Sequence, residues 1–172
     1  TSLDTSAVFQ STDNADAVLR GVWYYMFNSG STYASVGLNS LLINDDFGGS
    51  DVVRARSYGF SSSYSLTNGF SRGEYNGVMW DIMYTAINNC NAVIANIDHV
   101  EGDGSEKNRI KGQALATRGY AYMMLASHYS FSIEKDPDAV CVPIWLEPSD
   151  YDSALHGIPA SSVSEVYAQA LS

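Results

Sequence analysis

The chain has 172 residues, 45% of them hydrophobic, and nineteen Asp and Glu against nine Lys and Arg give a formal net charge of -10 at pH 7. That apolar content excludes a disordered chain, and the acidic balance, with no Lys/Arg cluster, excludes nucleic acid and direct adsorption to anionic lipid, both of which need cations. Charged residues are only 16% while tyrosines number 12, which suits uncharged, hydroxylated or planar ligands and protein partners.

Residues 1–11 read as a polar lead-in. Ser11 or Thr12 then caps a helix to about Phe27, because Ala15, Val18, Leu19, Val22, Trp23, Met26 and Phe27 recur at helical spacing. Residues 28–40, rich in Ser, Gly and Asn, predict a loop with room for a short helix. Leu41-Leu42-Ile43 follows as an apolar patch before Asn44-Asp45-Asp46 and Asp51. These oxygens beside glycines resemble a calcium loop, but an EF-hand needs ligands at alternate positions and a closing Glu. Turn-forming, solvated aspartates are the expectation. About 45 residues of weak periodicity is long for a connector and points to function or to support by neighbouring structure. Tyr58, Phe60, Tyr64, Phe70 and Tyr75 stand in it among Ser, Gly and Asn. Such rings can stack on sugar faces while the polar residues take hydroxyls; they can equally fasten the segment to the helices.

A second helix is predicted over about Gly77–His99 on the stripe Met79, Ile82, Met83, Ala86, Ile87, Cys90, Val93, Ile94 and Ile97. After the turn Gly102-Asp103-Gly104-Ser105, a third runs from Glu106 to Phe131, apolar on more than one face and thin at Gly112, Ala114, Ala116, Gly119 and Ala121. The short connection makes the two an antiparallel hairpin of helical-repeat length. Arg118 is a lone charge within the third helix and must find a carboxylate, carbonyls or water. Four prolines mark an irregular return over 132–160, and Ser162 with Glu165 forms a capping box for a fourth helix carrying Val163, Val166, Tyr167 and Ala170. The fold class is mainly α, tetratricopeptide-like hairpins with long irregular loops.

The search for chemistry yields little. His99, His128 and His156 have no metal-ligand spacing, Cys90 and Cys141 read as unpaired structural thiols, and no phosphate loop or nucleophile elbow is present. No catalytic residue, cofactor or metal is expected. No signal peptide opens the chain, and no apolar run reaches membrane-spanning length.

Trp80, Tyr84, Ile87 and Asn91 follow a W-x3-Y-x2-I-x3-N pattern, and Lys111-Gly112-Gln113-Ala114 leads to Arg118, Tyr120, Tyr122, Leu125 and Tyr129. With Val142-Pro143-Ile144, then Pro159, Val163 and Tyr167, these resemble the SusD/RagB family of outer-membrane nutrient-binding lipoproteins. Gln113, Gly119, Ser130 and Ala160 depart from the usual Glu, Ala, Gly and Arg. Members are about three times this length, so the resemblance implies that 1–172 is the N-terminal helical portion of a longer chain. It further implies a surface-exposed, non-catalytic protein that is held to the cell outer membrane by an N-terminal lipid absent from this chain. Such a protein binds oligosaccharide or polysaccharide for a TonB-dependent outer-membrane transporter. Family ligand residues vary with the glycan, so candidates come from the residues themselves: Tyr58, Phe60, Tyr64 and Phe70 as platforms. Trp80, Tyr84, Asn91, Arg118 and Tyr122 are expected to be structural, the first two packed in the core. The alternative is a helical-repeat protein-interaction scaffold without a small ligand. A hydrolase using Asp45, Asp46 or Asp51 is the weakest reading.

Overall fold

The computed structural model describes residues 8–30, 36–53, 55–56, 59–67, 74–150 and 155–172. Tyr58 and Phe70 lie outside the described residues. The described part is mainly helical, with two isolated bridges, Ser11 to Glu101 and Val140 to Ser162, and no strand ladder. It falls into two compact units, Thr1–Val22 with Met83–Ser172, and Trp23–Ile82, whose boundaries cut through two helices.

The larger unit is built on the predicted hairpin. Helix α1 spans Thr12–Asn28 and α4 spans Glu74–Asn96, extended by a 3-10 turn at Ile97–His99; α5 spans Gly104–Tyr129. Lys111 meets Asp98 at 2.6 Å, and seven residues further along α5 Arg118 meets Asn91, seven residues back. Opposite steps of equal length mean antiparallel helices. The Asp103 side chain caps α5 by accepting from the N–H groups of Ser105 and Glu106. Met83, Ala86, Ile87, Cys90 and Val93 of α4 are buried, and so are Ile110, Ala114, Ala121, Tyr122 and Leu125 of α5. The start of α1 is tied to this hairpin: Thr12 N–H donates to the Glu101 carbonyl, and buried Asp16 accepts from Arg109 at 2.7 Å. That guanidinium, helped by Arg20, holds the Asp16 carboxyl below its ordinary range against the cost of burial.

The return segment ends against α6, Val163–Ala170. Cys141 N–H donates to the Ser161 carbonyl and Ser161 N–H to the Val142 carbonyl, and the Ser162/Glu165 capping box forms as its spacing predicts. Val163 and Val166 are fully buried. At Gly119 of α5, where the resembling family usually has Ala, an added Cβ would lie 2.5 Å from the Ala170 carbonyl oxygen. Helix propensity alone would make Gly119→Ala stabilising by about 1 kcal/mol. The clash with backbone reverses the sign, and a net loss of about 1–2 kcal/mol, read as a lower urea midpoint, is expected.

The smaller unit corrects the sequence reading. Residues predicted as loop and turn form a twelve-residue helix, α2, Gly37–Gly48, and one helical turn, α3, Ser61–Tyr64. Asp45 and Asp46 therefore lie within a helix and not in a turn. Propensity hid α2: it opens without a side-chain cap and holds Gly, Asn, Ser and Asp, all weak helix formers. Tertiary burial of Leu38, Leu41 and Asn44 on one stripe overrides that bias. Asn44 donates to the Ser40 carbonyl at 2.7 Å and accepts from the Ser63 hydroxyl, joining α2 to α3. Gly37 makes the reversal from α1: its φ is +55°, its N–H donates to the Ser29 carbonyl at 2.6 Å, and any Cβ would strike the Phe27 carbonyl.

Candidate functional site

Two of the four sequence-proposed platforms are brought together, through a third ring. Phe60 and Tyr64 stand one turn apart, with Tyr64 N–H donating to the Phe60 carbonyl at 3.1 Å. Phe47, on the last turn of α2, stacks on Phe60 with centroids 5.3 Å apart and planes at 27°. It also meets Tyr64 edge-on at 6.4 Å and 78°. Offset-stacked and T-shaped contacts of this kind contribute about 0.5–1.5 kcal/mol each. Phe47 and Phe60 are partly covered, while Tyr64 keeps 39% of its surface exposed. The cluster therefore fastens α3 to α2 and still offers an aromatic surface. Phe47 was missed by sequence reasoning because its helix was; once α2 is known, its position one turn beyond Ile43 and beside Asn44 is legible.

Leu66 borders the same cluster. Its φ is +56°, the one positive value on a non-glycine residue among those described. The backbone there is a Schellman ending: Thr67 N–H donates to the Ser62 carbonyl and Leu66 N–H to the Ser63 carbonyl. Glycine is the usual occupant of that left-handed position; a side chain there costs about 1–2 kcal/mol. Leu66 remains 65% exposed, so its burial returns under about 1 kcal/mol, a fraction of the roughly 1.5–3 kcal/mol of a fully covered leucine. Its side chain reaches over the end of α2, where a Cβ at Gly48 would lie 3.7 Å from Leu66 Cδ2.

A different set of polar side chains organises the larger unit. The Tyr122 hydroxyl accepts from the Trp145 N–H and donates to its carbonyl, both at 2.7 Å. Tyr84 donates to the Pro143 carbonyl at 2.7 Å, and Asn91 donates to the carbonyls of Trp145 and Glu147 at 3.0 and 3.2 Å. Asn88 accepts from the Ser149 N–H at 2.7 Å. Residues 143–149 thus have their backbone bonded to side chains of α4 and α5 in place of a β partner. Arg118, only 8% exposed, donates to the Asn91 side-chain oxygen at 2.9 Å, and among the described residues no carboxylate lies within ion-pair distance of it. Burial pushes the Tyr122 hydroxyl and the Cys90 thiol up to about 12 and raises Tyr84 as well, so all three stay neutral.

The SusD-like family, described as starch-binding and associating with the outer membrane, matches residues 43–172. The chain belongs to this family. It is similar to a solved SusD-like carbohydrate binding protein from Bacteroides vulgatus, with a TM-score of 0.89 and 47% identity over 95% of this chain and 34% of that one. A SusD superfamily protein from Bacteroides fragilis gives a TM-score of 0.79 at 25% identity, covering 95% of this chain and 38% of its own. One from Bacteroides thetaiotaomicron gives 0.76 at 22% identity, covering 94% and 35%, a likeness of fold. The chain spans about a third of the length of these solved proteins. No curated protein matched it.

In this SusD-like chain the signature residues Tyr84, Asn91 and Tyr122 hold the return segment, and Arg118 holds Asn91. Trp80 departs from expectation. It lies about 100° round the helix from the buried Met79 and keeps 37% of its surface exposed, so it is not a core side chain. Asp45 and Asp46, neighbours on one helix, diverge by the same angle, a poor arrangement for a carboxylate pair flanking one substrate bond. The His128 ring Nδ1 lies 2.6 Å from the Met124 carbonyl within its own helix. Among the described residues no three His, Cys, Asp or Glu are grouped to hold a metal ion, and no helix is long and apolar enough to cross a membrane.

Proposed function

We propose that the full-length protein is a non-catalytic surface lipoprotein that captures neutral oligosaccharides and delivers them to a TonB-dependent transporter of the outer membrane. The observation that carries this reading is the family match over residues 43–172, together with 47% identity to a protein described as carbohydrate binding. In this chain the contribution to the site is the aromatic surface of Phe47, Phe60 and Tyr64, with Tyr58 and Phe70 as further platforms in the same segment. A pyranose lays its apolar C–H face on the ring edge or face, and hydroxyls of the serine-rich turn take its polar rim. No proton transfer is assigned to any residue.

Calorimetry of the full-length protein against malto-, xylo-, manno- and galacto-oligosaccharides tests it. The protein should bind at least one class, release no reducing ends, and keep its affinity as salt is raised, since few charges are screened. Tyr64→Ala, with its fold checked by circular dichroism, should weaken binding about fivefold, the equivalent of roughly 1 kcal/mol for one ring contact. Undiminished affinity in Tyr64→Ala and Phe60→Ala together would remove the site from α3.

A second reading, a helical scaffold for a protein partner, draws on the C-terminal half of α1. There Tyr24 is 71% exposed, and Trp23 and Phe27 stack at 6.0 Å with both rings partly open. Binding none of the four sugar classes while retaining a transporter in pull-down would favour it.

A further inference from the structure

We infer that Leu66 is a ligand-contacting residue, the apolar lip of the aromatic surface formed by Phe47, Phe60 and Tyr64. This rests on the reading of that surface as the glycan platform and adds a residue to it. Three observations converge. Leu66 holds a left-handed backbone conformation at a helix ending where glycine would serve without strain. Its side chain is mostly exposed, so packing within the unit does not offset the strain. It is also placed next to the cluster, two residues after Tyr64 and reaching over Gly48, the neighbour of Phe47. Non-glycine residues held in the left-handed region cluster at ligand-contacting and active sites. Here the missing burial would come from the C–H face of a neutral sugar lying across Tyr64, with the Leu66 methyls closing one side. Sugars that carry an axial substituent on that side would be excluded, so the residue would set specificity as well as affinity.

The test uses the full-length protein, with whichever of the malto-, xylo-, manno- and galacto-oligosaccharides binds the wild type as the probe. Leu66→Gly should raise Tm by about 2 °C, since strain is relieved, and weaken binding about threefold to fivefold. Leu66→Asn, polar but tolerant of the left-handed region, should bind as weakly as Leu66→Gly. Leu66→Met, which keeps an apolar side chain, should bind within twofold of wild type. A higher Tm with unchanged affinity in Leu66→Gly would overturn the proposal, and so would a lower Tm, which would make the leucine structural. Tyr64→Ala separates the two layers. If it loses affinity and Leu66→Gly does not, the platform stands without its lip. If neither loses affinity, or if the wild type binds none of the four sugars, the platform reading falls and this one with it.

Discussion

Tyr122→Ala is expected to destabilise the protein by about 3–5 kcal/mol, the range for truncating a large buried aromatic side chain. Tyr122 is fully buried, and its hydroxyl both accepts from and donates to the backbone of Trp145. The two losses can be separated. Tyr122→Phe keeps the ring and removes only the hydroxyl. The Trp145 carbonyl still accepts from Asn91, so one N–H is left without its partner, at about 1–2 kcal/mol. Urea titrations of the two variants should show Phe between wild type and Ala. An unchanged midpoint for Tyr122→Phe would mean that the Trp145 N–H finds water or another acceptor. The return segment would then be held by packing and not by this bond.

Asn91→Ala should cost about 2–4 kcal/mol, because one side chain serves three partners. Its oxygen accepts from the buried Arg118 guanidinium, and its nitrogen donates to the carbonyls of Trp145 and Glu147. A hydrogen bond to a charged group contributes about 1.5–3 kcal/mol. Arg118→Met should cost about that and not the 3–5 kcal/mol of a broken buried ion pair, since among the described residues no carboxylate is left behind. In a double-mutant cycle the pair should be non-additive by about 1–2 kcal/mol, the combined loss being smaller than the sum. Additivity within about 0.5 kcal/mol would show that the Arg118–Asn91 bond is not formed in solution.

The α4–α5 hairpin and α6 were legible because their signals are local. Stripes at helical spacing, the polar turn Gly102-Asp103-Gly104-Ser105 and the Ser162/Glu165 box act within a few residues of chain, and short connections leave few topologies. The spacing of Tyr84, Ile87 and Asn91 also marked the family, and with it the function now proposed.

The bonding of those same residues was not legible. Tyr122 and Asn91 reach backbone groups of Trp145 and Glu147, more than twenty positions away, and backbone groups carry no side-chain signature that a sequence could display. Trp80 fell outside the core because one helical step turns a residue from the stripe to the surface. Helix α2 was hidden by its own weak propensities and formed only because Leu38, Leu41 and Asn44 gain burial and a bond to Ser63 from elsewhere in the unit. With α2 unseen, Phe47 could not be placed against Phe60 and Tyr64, so the candidate rings were known as a composition and not as a surface. Gly119 and Leu66 show the same limit at single residues. The close approach of α6 and the left-handed turn after α3 are properties of distant backbone and of a dihedral angle, and only the tertiary structure decides either.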